Sequence, residues 1–286
     1  MGRGAMAITN AANGQITSSA STWLQHVLST GQDVGFTWNQ TTDTEDTTPF
    51  GSSTAVSRSF TPTARSGTVA WRAWYDDNSI KGGRRVTLAA ASGSDTPYTT
   101  SINQATLSLT VNLEDTTSFG VTANVAGART YTPASYTGTL TYSGFLDTGS
   151  AFPQTEAPEV ATFNTFTLTA EQGTNDATVS FGGIVTAYTV GEVTPGVVTP
   201  VSATVQISGD LTCSTNADNS NDLLPASGAS SGPLLLPVAG ETVLQTDTGK
   251  TFTMDTVTSS LTIDFPVSGL IAYSGTEQIS DTVTVA

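Results

Sequence analysis

Apolar residues alternate with threonine and serine along most of this chain. That two-residue period sets one face of a strand on a core and the other in solvent. It runs through "VGFTWNQ" (34–40), "TVAWRAWY" (68–75), "RRVTLAAA" (84–91), "ATLSLTVNL" (105–113), "RTYTPASY" (129–136), "GTLTYSGFL" (138–146), "TFNTFTLTA" (162–170) and "ATVSFGGIVTAYTV" (177–190). It continues in "VSATVQISG" (201–209), "KTFTMDTV" (250–257), "LTIDFPVSGLIAYS" (261–274) and "DTVTVA" (281–286). Strands at this close, regular spacing predict an antiparallel sandwich or barrel. One stretch has another period. Trp23, Leu24, Val27 and Leu28 share a face at helical spacing, so residues 18–30 are predicted as a short helix, with serines at its start, Gly31 after it and His26 off the stripe. The fold class expected is all-β with one short helix.

The pattern is also written twice. "EDTTPFGSSTAVSRSFTPTARSGTVAWRAWYD" (45–76) and "EDTTSFGVTANVAGARTYTPASYTGTLTYSGFLD" (114–147) align end to end with a two-residue gap. Arg58 meets Arg129, Phe60 meets Tyr131, Pro62 meets Pro133, Gly67 meets Gly138, Trp71 meets Tyr142 and Trp74 meets Phe145. Aromatic replaces aromatic and aliphatic replaces aliphatic, which preserves a core face, and the glycines read as turn residues. The duplication is therefore of structure and not only of composition. A fainter echo sets "VSATVQISGDL" (201–211) beside "SLTIDFPVSGLI" (260–271). These matches divide the chain into a first domain at 1–100, a second at 101–212, a loop or linker at 213–240 and C-terminal strands at 241–286. Either the last segment completes the first domain, with the second inserted in it, or two tandem domains carry an extension.

Charge narrows the function classes. The formal net charge is −15, against the basic face a sequence-specific DNA reader carries. Residues 1–85 hold seven Lys or Arg and six acids, for +1; residues 86–286 hold two and eighteen, for −16. The plain reading is a solvated acidic surface; the sharper one is self-complementary assembly, in which the Arg-bearing part of one copy meets the acidic part of the next. Cys213 is the only cysteine, so an intrachain disulfide and a cysteine metal cluster are excluded. No apolar run is long enough for a membrane helix, and the first residues lack the apolar core of a signal peptide.

Candidate chemistry is thin. "GASSG" (228–232) matches the nucleophile-elbow pattern around Ser230, but it sits in a Ser/Gly loop and runs into Pro233, without the strand and helix that motif needs. "NADNSND" (216–222) opens like a calcium loop, yet has Asn221 at the glycine position and Ser227 where the acid belongs. "AWRAWY" (70–75) reads as core or interface packing before a sugar platform. No enzyme activity, cofactor or metal is expected.

The repeated order is a strand, an acidic "D-T-T-x-F-G", a loop with Arg and an aromatic, then "G-T-(V/L)" and an aromatic-rich strand ending in Asp. It resembles the tail tube fold of long-tailed phages and tailed viruses. The residues that carry the resemblance are Asp46, Thr47, Phe50, Gly51, Arg58, Phe60, Gly67 and Asp76, and again Asp115, Thr116, Phe119, Gly120, Arg129, Tyr131, Gly138 and Asp147. It spans roughly 33–212 and implies two tail-tube-like sandwich or barrel domains. It further implies a virion tail protein, assembled in the host cytoplasm, whose copies close into rings that stack into a tube. A chain with two such domains implies a homotrimeric, pseudo-hexameric ring. Tape-measure and tail terminator proteins would be partners, and DNA would pass through without specific binding or any membrane. The alternative is an Ig-like surface adhesin, decoration or carbohydrate-binding module.

Overall fold

The computed structural model describes residues 15–19, 23–24, 28, 35–46, 58, 60–74, 86–91, 98–100, 102–117, 128–145, 163–170, 177–214, 223–224, 231–234, 236, 239–245, 250–266 and 269–286. The strands are β1 (Gln15–Ser18), β2 (Gly35–Asp46), β3 (Phe60–Trp74), β4 (Val86–Ala91), β5 (Tyr98–Thr100), β6 (Ile102–Asp115) and β7 (Tyr131–Phe145). They continue as β8 (Phe163–Ala170), β9 (Ala177–Val190), β10 (Pro200–Ser214), β11 (Ser231–Pro233), β12 (Ala239–Gln245), β13 (Thr251–Pro266) and β14 (Ala272–Val285). All fourteen belong to one antiparallel sheet. Its main path runs β2-β3-β14-β13-β6-β7-β10-β9-β8-β4-β5, and β12 branches from β13 to carry β1. The protein is thus all-β, as the alternation predicts. Trp23, Leu24 and Leu28 of the expected helix are helical and buried; Val27 and His26 lie outside the described residues.

Alternation decides which side is core. Val69, Trp71 and Ala73 of β3, Leu107 and Leu109 of β6, Leu140 and Tyr142 of β7, and Ile263 and Phe265 of β13 are all buried in one cluster. The other face is threonine and serine: Thr106 and Ser108 on β6, Thr139 and Thr141 on β7, Thr204 on β10, Thr262 on β13 and Thr276 on β14. Burying the first set drives folding, because apolar area removed from water contributes about 25 cal/mol per Å².

The strands are longer than the periodicity suggests. β3 and β7 each run unbroken through the glycine read as a turn. Gly67 and Gly138 are mid-strand and buried. A Cβ on Gly67 would lie 2.6 Å from the Asn39 carbonyl and 2.9 Å from Ile279 Cδ1; on Gly138 it would lie 2.6 Å from Leu109 Cδ2 and 2.8 Å from Ile207 Cδ1. These glycines permit close packing within the sheet and make no turn. The prolines also sit inside strands. Pro62 pairs with Thr44 and Pro133 with Leu113, each beside a register shift in which the proline's own strand carries the extra residue, Thr63 in β3 and Ala134 in β7. A bulge there relieves the ladder of a donor that proline lacks.

Pairing also corrects the fainter echo. β10 pairs with β7 as β14 pairs with β3: Gln206 lies opposite Thr139 and Gln278 opposite Thr68. Residues 201–211 therefore correspond to 273–283, and residues 260–266 correspond to the end of β9. The shared "SG" misaligned the two. The segment 213–240 contributes buried Leu223, Leu224, Leu234 and Leu236 to the core, besides β11. Tyr273 Oη donates to the Leu223 carbonyl at 2.8 Å, and Trp23 meets the Tyr273 ring edge-on at 5.7 Å.

Candidate assembly site

Two four-strand blocks, β2-β3-β14-β13 and β6-β7-β10-β9, lie side by side in the sheet. Their registers match. Glu45 faces Thr61 and Glu114 faces Thr132; Gln40 faces Gly67 and Leu109 faces Gly138. Gln278 Nε2 donates to the Gly67 carbonyl at 2.9 Å, and Gln206 Nε2 to the Gly138 carbonyl at 2.8 Å. Ser259, in the β13 bulge, donates to the Thr276 carbonyl at 2.9 Å. Thr186, in the β9 bulge, donates to the Thr204 carbonyl at 3.2 Å. Gly209 and Asp281 occupy matching places with positive φ, +84° and +101°, and Asp281 is the one non-glycine residue in that region among those described.

The blocks meet where β6 pairs with residues 260–266 of β13. Leu261 faces Leu109, Ile263 faces Leu107 and Phe265 faces Ala105, all of them buried. The remainder of β13, residues 251–257, pairs with β12 on the same side. β9 is divided alike: residues 177–184 pair with β8, but residues 185–190 have no described strand on that edge. β2, the counterpart of β6, ends the path with its outer edge open among the described strands. Large apolar residues gather near the open part of β9. Val190 is 46% exposed, Val193 72%, Val197 63% and Val198 60%. Val190 matches Ile263, which is fully buried in the seam. On β2, Trp38 is half-buried against Phe252, 4.9 Å between rings, and its indole N–H has no hydrogen-bond partner.

A second set of contacts clasps the seam. Arg129, just before β7, bonds Asp43 of β2 at 2.7 Å and Asp115 of β6 at 3.2 Å. Its amide donates to the Arg65 carbonyl at 3.2 Å, and its carbonyl accepts from the Asp281 amide at 2.9 Å. The Tyr131 amide is hydrogen-bonded to Ser280 Oγ at 2.9 Å. The Asp115 carboxyl is held below the usual carboxylate range, first by the Thr117 hydroxyl and amide and last by Arg129. In the first block Arg58 reaches Asp46, the counterpart of Asp115, at 3.7 Å. Of the other motif residues, Thr116 bonds Thr130 and Thr132 across the hairpin, and Phe60 begins β3. Thr47, Phe50, Gly51, Asp76, Phe119, Gly120 and Asp147 lie outside the described residues.

The blocks differ in one core pair. Trp71 Nε1 donates to Glu277 Oε1 at 3.0 Å in the first, where the second sets Tyr142 near Val205. Burial pushes the Glu277 carboxyl up to about 7, against the opposing bonds from Trp71 and Thr258. This buried acid left no signal in the sequence: Glu277 falls in the gap between the strands read at 261–274 and 281–286.

Among the described residues no group of His, Cys, Asp or Glu could hold a metal ion, and no helix is long and apolar enough to cross a membrane. No family model matches this sequence, and no curated protein matches it. Among solved structures, the chain is similar to one in the cryo-EM structure of the anti-feeding prophage (AFP) baseplate, 6-fold symmetrised. The TM-score is 0.36 at 10% identity, over 47% of this chain and 94% of that one.

Proposed function

We propose that this chain is a structural virion protein, a viral tail tube subunit whose copies join edge to edge into rings that stack as a conduit for DNA. The observation that carries the reading is the β13–β6 seam, together with an open β9 edge and an open β2 edge at the matching places. A seam made once within the chain can be made again between copies. Carrying its register over sets Tyr188 opposite Gln40 and Val190 opposite Trp38 of the next copy. That joint buries the exposed valine and removes two exposed sheet edges, which otherwise template uncontrolled pairing. Such a contact is heterologous, so it closes only as a ring or grows as a filament. With two blocks per copy, a trimer gives the pseudo-sixfold ring.

The face away from the core supports the conduit. At the paired positions from β2 to β9 it is lined mostly by threonine and serine, and its charged members include one cation, Arg72, and the acids Asp43, Glu45, Glu114 and Asp264. A wall with so few cations gives the phosphate backbone little to hold, so DNA passes without specific binding. Tape-measure and terminator proteins would contact the same tube.

Negative-stain electron microscopy of the purified protein, at low and molar salt, tests this. Trimeric rings or stacked tubes are expected. Compact monomers at every concentration and salt would overturn the reading in favour of a monomeric surface-binding module.

A further inference from the structure

The Arg129 clasp has a twin with nothing described to clasp. Within the chain, the segment entering β7 reaches back over the neighbouring block, with Arg129 and Tyr131 meeting Arg65, Ser280 and Asp281. Matching pair by pair, Arg58 and Phe60 enter β3 as Arg129 and Tyr131 enter β7, while Tyr136, Ser208 and Gly209 stand where Arg65, Ser280 and Asp281 stand. In the ring proposed above, the block that would come next to β2 is the β9 side of another copy. We infer that Arg58 and Phe60 of one copy clasp Ser208, Gly209 and Asp210 of the adjacent copy. The partner is a second copy of this chain, and the inference rests on the ring reading above.

Three observations converge on it. The first is exposure. The Arg58 side chain is 75% exposed against 36% for Arg129, Phe60 is 55% exposed where Tyr131 is half-buried, and Ser208 is exposed where Ser280 is half-buried. The cation, the serine and the aromatic are each more exposed at the outer site than at the inner one. The second is backbone shape. Positive φ at Asp281 accompanies the amide it turns toward the Arg129 carbonyl, and Gly209 already holds that conformation without the clasp. The third is charge. Asp43, the second carboxylate on Arg129, is matched by neutral Asn112 at the outer site, but Asp210 supplies an acid where the inner site has Thr282. The cation thus keeps an acid on the facing block, moved from one strand to another. This is the arrangement the uneven charge along the chain calls for, Arg-bearing N-terminal part against acidic remainder.

The test is a chain carrying Arg58→Cys and Ser208→Cys, oxidised under the conditions that give rings. The native Cys213 is fully buried and stays out of the chemistry. A covalent ladder up to the closed ring is expected on non-reducing gels, with neither single variant laddering, because the clasp would set the two sites within disulfide reach across copies. Arg58→Glu should lower the yield of rings roughly tenfold at low salt, with unchanged Tm, and Asp210→Arg in the same chain should restore it. Rings without a ladder, together with normal assembly of Arg58→Glu, would overturn the clasp and leave the tube reading standing. Absence of rings from the unaltered chain would overturn both.

Discussion

The two blocks share their register, bulges and glutamine bonds, but not what fills them. The first block buries Glu277 beside Trp71 and bends its backbone at Asp281; the second has Val205, Tyr142 and Gly209 at those places. What they share is main-chain geometry, together with the few side chains that bond to it. What differs is side-chain chemistry, which a fixed ladder can accommodate if volume and polar partners are met. The second block is the more relaxed version of one design.

Substituting the mid-strand glycines probes the shared part and should have the largest effect. Gly67→Val forces a branched side chain against the Asn39 backbone and should cost about 3 kcal/mol in urea unfolding. Gly138→Val should cost less, because its closest obstacle is the movable end of Leu109. Equal costs would mean that the two strands are held by different contacts from those described.

Glu277→Gln breaks the difference in the core. Burial pushes the folded carboxyl up to about 7, whereas in the unfolded chain it returns to its ordinary value of 4.5. Between those values the unfolded chain gives up its proton while the folded chain keeps it, so stability falls as pH rises through this window and levels off above it. That fall amounts to about 3 kcal/mol. Glu277→Gln should match the parent below pH 4, exceed it above pH 7, and flatten the pH profile of Tm between them.

Exchanging the positive-φ residues sharpens the contrast more gently. Asp281→Gly should stabilise by about 0.5–1 kcal/mol and Gly209→Ala should destabilise by about 1 kcal/mol, both read from denaturant midpoints. The Asp281 amide bond to Arg129 survives the first change. Arg129→Ala should have the smallest effect, a slight fall in Tm that vanishes in molar salt, because its ion pairs are solvent-exposed.

Much of this was legible in the sequence. Alternation located β2, β6, β9 and β10 but split β13 after 257 and ran its second half on into β14 (261–274), and the "EDTT" repeat located the two hairpins with their shared order of Arg, aromatic, Pro and Gly. Glycine and proline misled, because both usually punctuate; here Gly67 and Gly138 serve packing, and Pro62 and Pro133 sit beside bulges. β1 and β11 have too few residues to show a period, and β12, AGETVLQ, sets Val243 and Leu244 side by side without alternation. The leucine runs at 223–224 and 234–236 were visible but lay within a polar stretch, and only their burial shows that they belong to the core. The seam itself could not be read at all, since β13 finds β6 across about 150 residues and nothing local records that choice.

That long-range choice sets a schedule. β3 waits for β14 and β2 waits for β3, whereas β4 to β10 come from one uninterrupted stretch. During synthesis the block from β6 to β10 can close first, and the earlier-made β2–β3 hairpin is held back until β14 emerges. Pulsed hydrogen exchange should therefore find β7 and β10 protected before β3. The reverse order would mean that the hairpin finds its place without its neighbour. An assembly built on the β2 edge would then be timed by β14, so no copy could recruit another before that strand was made.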